Sequence, residues 1–100
     1  MKIFCIHGNF QMAKVWQPLE ERIKAVFSDL EMITEDLWAK QFQSFDDWTE
    51  DFCNRVESEG NGEKSILLGY SLGGRLALHA CVRRPDLWKA VVVAGADPGL

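Results

Sequence analysis

The stretch Ser65-Ile66-Leu67-Leu68-Gly69-Tyr70-Ser71-Leu72-Gly73-Gly74-Arg75-Leu76-Ala77-Leu78 decides the fold. Its opening Ser65-Ile66-Leu67-Leu68 is a short apolar run, the pattern of a strand buried in a parallel sheet. Leu72 to Arg84 reads as a helix, stopped by Pro85. Between them stands G-x-S-x-G. To lift a hydroxyl above a sheet, the strand must reverse sharply into a helix, which strains the serine backbone. Gly69 and Gly73 flank Ser71 because side chains there would collide with the neighbouring turn. Leu72 opens the helix with a free N–H at the positive helix end, where it can stabilise an oxyanion beside Ser71. With glycine and serine each at roughly 7%, chance alone supplies such a pentapeptide in a chain of this length with a probability of about 0.03. The competing reading, a glycine-rich turn with an idle serine, weakens further once the flanking strand and helix are counted. No Gly-Lys-Ser/Thr follows, so this is no phosphate loop, and the G-x-G-x-x-G of a dinucleotide site is lacking.

A second unusual loop leaves the first strand. Ile3-Phe4-Cys5-Ile6 is an apolar run ending at His7-Gly8-Asn9-Phe10. Gly8 lets the backbone approach a ligand closely, and the amides after it can point into a site. This loop is where a second oxyanion donor should arise: the Asn9 N–H, with Phe10 as the alternate. An ordinary turn with a capping Asn is the plain alternative. The joint occurrence of the two loops, each at a strand's carboxyl end, favours the functional reading, because open parallel sheets collect their chemistry there.

The rest of the chain supports that sheet. Pro18 fits a first helical turn, and Leu19, Ile23, Val26 and Phe27 recur at helical spacing after it. Leu30 to Ile33 is a weak second strand, and Asp36 to Gln43 reads as loop. Ser44-Phe45-Asp46-Asp47 resembles a capping box with Asp in place of Glu. Phe45, Trp48, Phe52 and Val56 then share one helical face, and Gly60-Asn61-Gly62 ends that helix. Lys89-Ala90-Val91-Val92-Val93-Ala94 is a final strand. The order βαβαβαβ predicts an α/β fold, a parallel sheet with helices on both faces. No linker or repeat divides it, so residues 1–100 read as a single domain.

Composition narrows the function. The chain is 47% hydrophobic and 26% charged with a net charge of −4, an ordinary globular balance. Its basic residues are scattered apart from Arg83-Arg84, which argues against nucleic acid as a partner. No apolar run approaches the roughly 20 residues of a membrane span, and the N-terminus is too short and polar-flanked for a signal peptide. Cys5, Cys53 and Cys81 are odd in number and widely spaced, as for reduced buried thiols in a cytoplasmic protein. Neither a metal nor a cofactor is expected.

His7-Gly8, the Gly69–Gly74 turn and the strand-helix order together resemble the N-terminal part of an α/β-hydrolase-fold enzyme. A finer resemblance rests on Gly69-Tyr70-Ser71-Leu72-Gly73-Gly74-Arg75-Leu76-Ala77-Leu78 and Pro98-Gly99-Leu100. It is to the 2-succinyl-6-hydroxy-2,4-cyclohexadiene-1-carboxylate synthases of menaquinone biosynthesis. The chain departs from that family where Asp36-Leu37 continues as Trp38-Ala39-Lys40 in place of Pro-Gly-His-Gly. The resemblance implies that Ser71 is catalytic, that pyruvate is eliminated from an enolpyruvyl cyclohexene dicarboxylate, and that the strand of Ile3–Ile6 lies beside the strand of Ile66–Leu68. Arg75 has an argument of its own. It lies four residues after Ser71 on the same helical face, tilted toward the helix start, so its guanidinium can take a carboxylate of a small-molecule substrate. A solvated surface arginine is the alternative. Arg75 and His7 are the candidate substrate-binding residues.

A serine nucleophile needs a base and an orienting acid. The only histidines are His7 and His79. His79 lies about 12 Å up the helix from Ser71, and the resemblance gives His7 a structural place in the oxyanion loop. It also places the acid later than Asp97. The expectation is therefore a chain that lacks its base and acid and is inactive alone. A serine esterase or carbon–carbon hydrolase of the same fold, and a non-catalytic scaffold, are the alternatives to the lyase.

Overall fold

Each apolar run becomes a strand: β1 (Lys2–Ile6), β2 (Glu31–Glu35), β3 (Ser65–Tyr70) and β4 (Trp88–Ala94). The computed structural model describes residues 1–8, 11–38 and 44–95. All four strands pair in parallel, in the order β2-β1-β3-β4. Ile3 stands opposite Ile66 and Ile6 opposite Gly69, the neighbourhood that the family resemblance implies. β2 runs two residues past its expected end, through Thr34 and Glu35.

The helices are α1 (Gln17–Val26), α2 (Phe45–Gly60) and α3 (Leu72–Arg83). α2 starts as its sequence dictates: the Ser44 hydroxyl accepts the Asp47 N–H at 3.1 Å, and Asp46 and Asp47 stand in the positive first turn. It ends where Asn61 takes the left-handed conformation, φ 52°.

Alternation along the strands sends side chains to two faces. Phe4, Ile6 and Leu67 meet Phe52 and Val56 of α2 and Leu76, Ala77 and Ala80 of α3. Trp88 stacks on Phe52, with ring centroids 5.9 Å apart, and its Nε1–H donates to Ala80 O. On the other face Ile3, Cys5 and Met32 pack with Trp16 and Ile23. Helices thus cover both faces. The apolar stripe of α1 is only partly used: Ile23 packs, whereas Val26 and Phe27 are 71% and 55% exposed. Trp16, from the 3-10 turn Ala13–Trp16 that precedes α1, packs with Ile3, Cys5 and Met32 on this face. Cys5 and Cys53 are buried and Cys81 half-buried, all as free thiols.

Candidate active site

The chain passes from β1 outward to β2, then returns to β3 on the other side of β1 and moves outward again to β4. The direction reverses between β1 and β3. In such sheets the crevice at that reversal, beyond the carboxyl ends of the strands, is where ligands bind. His7-Gly8 leaves β1 there, and Ser71 leaves β3.

Ser71 holds a backbone conformation that side chains rarely adopt, φ 56° and ψ −117°. Such a residue costs on the order of 1–3 kcal/mol and persists only where its surroundings over-determine it. They do. The Ser71 N–H donates to Ala94 O at 2.9 Å, and Ser71 O accepts the Arg75 N–H at 3.1 Å. A Cβ on Gly69 would overlap Gly73 O and stand 2.8 Å from Gly74 Cα. A Cβ on Gly73 would overlap Ile6 O and stand 2.5 Å from His7 O. The first turn of α3 is therefore pressed against the end of β1, closer than any side chain permits. The Ser71 side chain makes no capping hydrogen bond to α3, so its hydroxyl is not spent on the helix. Leu72 is the first residue of α3, where an N–H has no intrahelical acceptor.

The His-Gly loop touches this turn. A Cβ on Gly8 would stand 3.1 Å from both Ser71 Cβ and Tyr70 O. His7 is fully buried. Its Nδ1–H donates to Gly8 O at 2.8 Å and its Nε2 accepts the Leu37 N–H at 3.0 Å, a pair of contacts that selects the neutral Nδ1–H tautomer. The Asp36 carboxylate, 3.9 Å from Nε2, accepts the Trp38 N–H instead, and the Trp38 ring lies 5.6 Å from the imidazole. The His7 ring thus presents neither surface nor a free nitrogen to a ligand or to the Ser71 hydroxyl. Trp38, where the sequence begins to depart from the family pattern, stands against the imidazole.

Arg75, half-buried, lines an open cleft of about 700 Å³ between α2 and α3, together with Phe45, Asp46, Leu78 and His79. Ser71 is not part of that lining. His79 is exposed and stands edge-on to Phe45 at 5.2 Å. Ser71, Leu72, His7 and Gly8 are therefore gathered at one point, while Arg75 borders the cleft between α2 and α3. Asn9 and Phe10, and Asp97 with Pro98-Gly99-Leu100, lie outside the described residues.

At the carboxyl end of β2 the sequence reading had no role for Glu35. Its carboxylate is almost buried and takes a 2.7 Å ion pair from Arg55, whose guanidinium also reaches Asp51 and lies 5.7 Å over the Phe52 ring. Burial opposes the Arg55 charge, but hydrogen bonds to Glu35 and Asp51 hold its ionisation above the ordinary arginine range. Among the described residues no group of three His, Cys, Asp or Glu is placed to hold a metal, and no helix is long and apolar enough to cross a membrane.

Residues 34–97 match the model of the α/β-hydrolase family described as serine aminopeptidase, S33. The chain belongs to that family. This α/β-hydrolase is 34% identical over 98% of its length to the 2-succinyl-6-hydroxy-2,4-cyclohexadiene-1-carboxylate synthase of Pectobacterium atrosepticum, of which it spans 40%. It is 41% identical to that of Serratia proteamaculans over 57% of its length, spanning 22% of that protein. Among solved structures, MenH from S. aureus superposes on the whole chain and on 39% of its own, with a TM-score of 0.82 and 21% identity. An extracellular α/β-hydrolase from a Paenibacillus species does so with a TM-score of 0.80 and 19% identity, over 42% of its own chain.

Proposed function

We propose that the chain carries the reactive serine of a menaquinone-pathway lyase built on the α/β-hydrolase fold. The observation that supports this reading is the Ser71 turn: a serine at positive φ between strand and helix, its hydroxyl uncommitted to the helix, beside the first amide of α3. The two relatives named as synthases of that pathway supply the reaction class. In this reading Ser71 is activated by a histidine that residues 1–100 do not supply, since the two present are His7, whose nitrogens are engaged, and His79, on the α2 side of α3. Activated Ser71 helps to remove a ring proton from an enolpyruvyl cyclohexene dicarboxylate. The electron pair left behind enters the ring as a double bond, the ring carbon–oxygen bond breaks, and pyruvate departs as its enolate and takes up a proton.

The negative charge that develops on the substrate is met by backbone N–H donors at Leu72 and at Asn9. Arg75 binds a substrate carboxylate, and His7 fixes the loop that carries Asn9. The substrate is a small carboxylate, in the cytoplasm, and residues 1–100 alone are inactive.

A serine esterase or carbon–carbon hydrolase is the second reading, favoured by the description of the matching family. The two separate on the full-length protein: kcat/KM for pyruvate release from the pathway substrate against kcat/KM for an activated neutral ester. The lyase reading expects the first to dominate and to vanish in Ser71→Ala. Ester turnover with no pyruvate release assigns the protein to the second.

A further inference from the structure

Gly8 is the residue through which the β1 loop meets Ser71, and each of its backbone polar atoms is held from within. Its N–H donates to Gln11 Oε1 at 2.8 Å. Its carbonyl accepts both His7 Nδ1–H, at 2.8 Å, and the Gln11 N–H, at 3.3 Å. Gln11 therefore clamps Gly8 at both its N–H and its carbonyl, once with its side chain and once with its backbone. The Gln11 carbonyl in turn accepts Trp38 Nε1–H at 2.5 Å, which ties the clamp to the loop after β2.

The clamp lies against the serine. Gln11 Oε1 and Ser71 Cβ are 3.0 and 3.1 Å from the one point that a Gly8 Cβ would occupy. Because the Gln11 oxygen is fixed by the Gly8 donor, its NH₂ is the end turned away from Gly8. Two consequences follow. The Gly8 N–H is removed from the set of donors available to a ligand, so the loop can offer only later amides. On its N–H side Gly8, from which those amides start, is held by one side chain that is itself only half-buried.

We propose that Gln11 is a positioning residue for the Ser71 site, acting by holding Gly8 in the orientation that the reaction at Ser71 requires. This rests on the reading of Ser71 as the reactive serine. Misplacing a pre-aligned group by about 1 Å costs on the order of a hundredfold, and loss of one oxyanion donor costs a hundredfold to a thousandfold. Removing the clamp should therefore lower rates at Ser71 by about tenfold or more without unfolding the protein.

The test uses Gln11→Met in the full-length protein, which keeps the length of the side chain and loses its acceptor amide. Three quantities are read: the rate at which a fluorophosphonate labels Ser71, kcat and KM separately, and hydrogen exchange of the Gly8 amide. The expected result is labelling and kcat each reduced tenfold or more, KM within about twofold, Tm close to wild type, and a Gly8 amide that exchanges faster. Wild type that labels at Ser71 while Gln11→Met labels at the same rate overturns the inference and leaves the Ser71 reading standing. Unchanged Gly8 exchange in the variant also overturns it. Wild type that does not label at Ser71 overturns both. Gln11→Ala carries the same test should the Met variant fail to fold.

Discussion

Gly73→Ala should damage this fold more than the addition of one methyl group suggests. The new Cβ would overlap Ile6 O and stand 2.5 Å from His7 O, both backbone atoms at the end of β1 that cannot swing aside. Since a carbon and an oxygen need more than about 3 Å, α3 must back away from β1 by about 1 Å. Forcing one extra carbon into a packed interior costs roughly 1–3 kcal/mol, and a backbone neighbour puts this site at the upper end. Alanine regains up to about 1 kcal/mol because it is the better helix former. The net loss is about 2 kcal/mol, which for a domain of this size lowers Tm by about 8–16 °C. Gly60→Ala is the internal control: it also adds a methyl group to a helical glycine, but its Cβ meets nothing within 4 Å, so Tm should rise slightly. The assay is thermal unfolding of wild type and both variants by far-ultraviolet circular dichroism. A Gly73→Ala protein as stable as Gly60→Ala would refute the claim that α3 is pressed on the end of β1.

Three further outcomes are expected. Ser71→Gly should raise stability by about 1–2 kcal/mol in urea unfolding, because glycine adopts φ 56° without the strain that serine bears; an unchanged or lowered midpoint would mean that the turn is unstrained. In the full-length protein, Arg75→Ala should lower kcat/KM for a carboxylate substrate about tenfold more than for a neutral ester, with Arg75→Lys rescuing only part; equal losses on both would make Arg75 a residue of the helix alone. Burial raises the folded-state pKa of Cys53 to about 11 and, with the nearby Glu20 charge, that of Cys5 to about 12, from the ordinary thiol value of 9.0. Well below pH 9 both states keep these protons; from about pH 9 the unfolded thiols ionise first, so stability should fall by up to about 1.4 kcal/mol per pH unit per thiol between pH 9 and 11, and Cys53→Ala should flatten that slope.

Much of this architecture was legible because local and global signals agree. The Gly69–Gly73 spacing, the apolar runs and the Ser44 cap each demand one local structure, and α3 begins at Leu72 where the turn requires it. The α1 helix was legible but its burial was not, because amphipathic spacing shows that a helix has an apolar side and not how much of that side packs; here Ile23 joins the core and Val26 stays exposed. Glu35 and Arg55 could not be paired from sequence, since one ends a strand and the other sits mid-helix, twenty residues on. The cleft that Arg75 borders was equally hidden: spacing places Arg75 on the face of Ser71, but only the packing of α2 beside α3 creates the cleft. The Gln11 clamp has a faint sequence signal, an amide side chain three residues after a glycine, which acquires meaning only once Gly8 is seen against Ser71.

The central claim, that Ser71 is the reactive serine, is tested most directly by mapping a covalent adduct. The full-length protein is treated with a fluorophosphonate and digested with trypsin, which cuts after Lys64 and Arg75 and releases Ser65–Arg75. That peptide holds two serines, of which Ser65 is buried in β3. The account predicts stoichiometric adduct on this peptide, with the added mass on the fragment Ser71–Arg75 and none in Ser71→Ala. An unlabelled peptide, or label on another residue of an active protein, would contradict it.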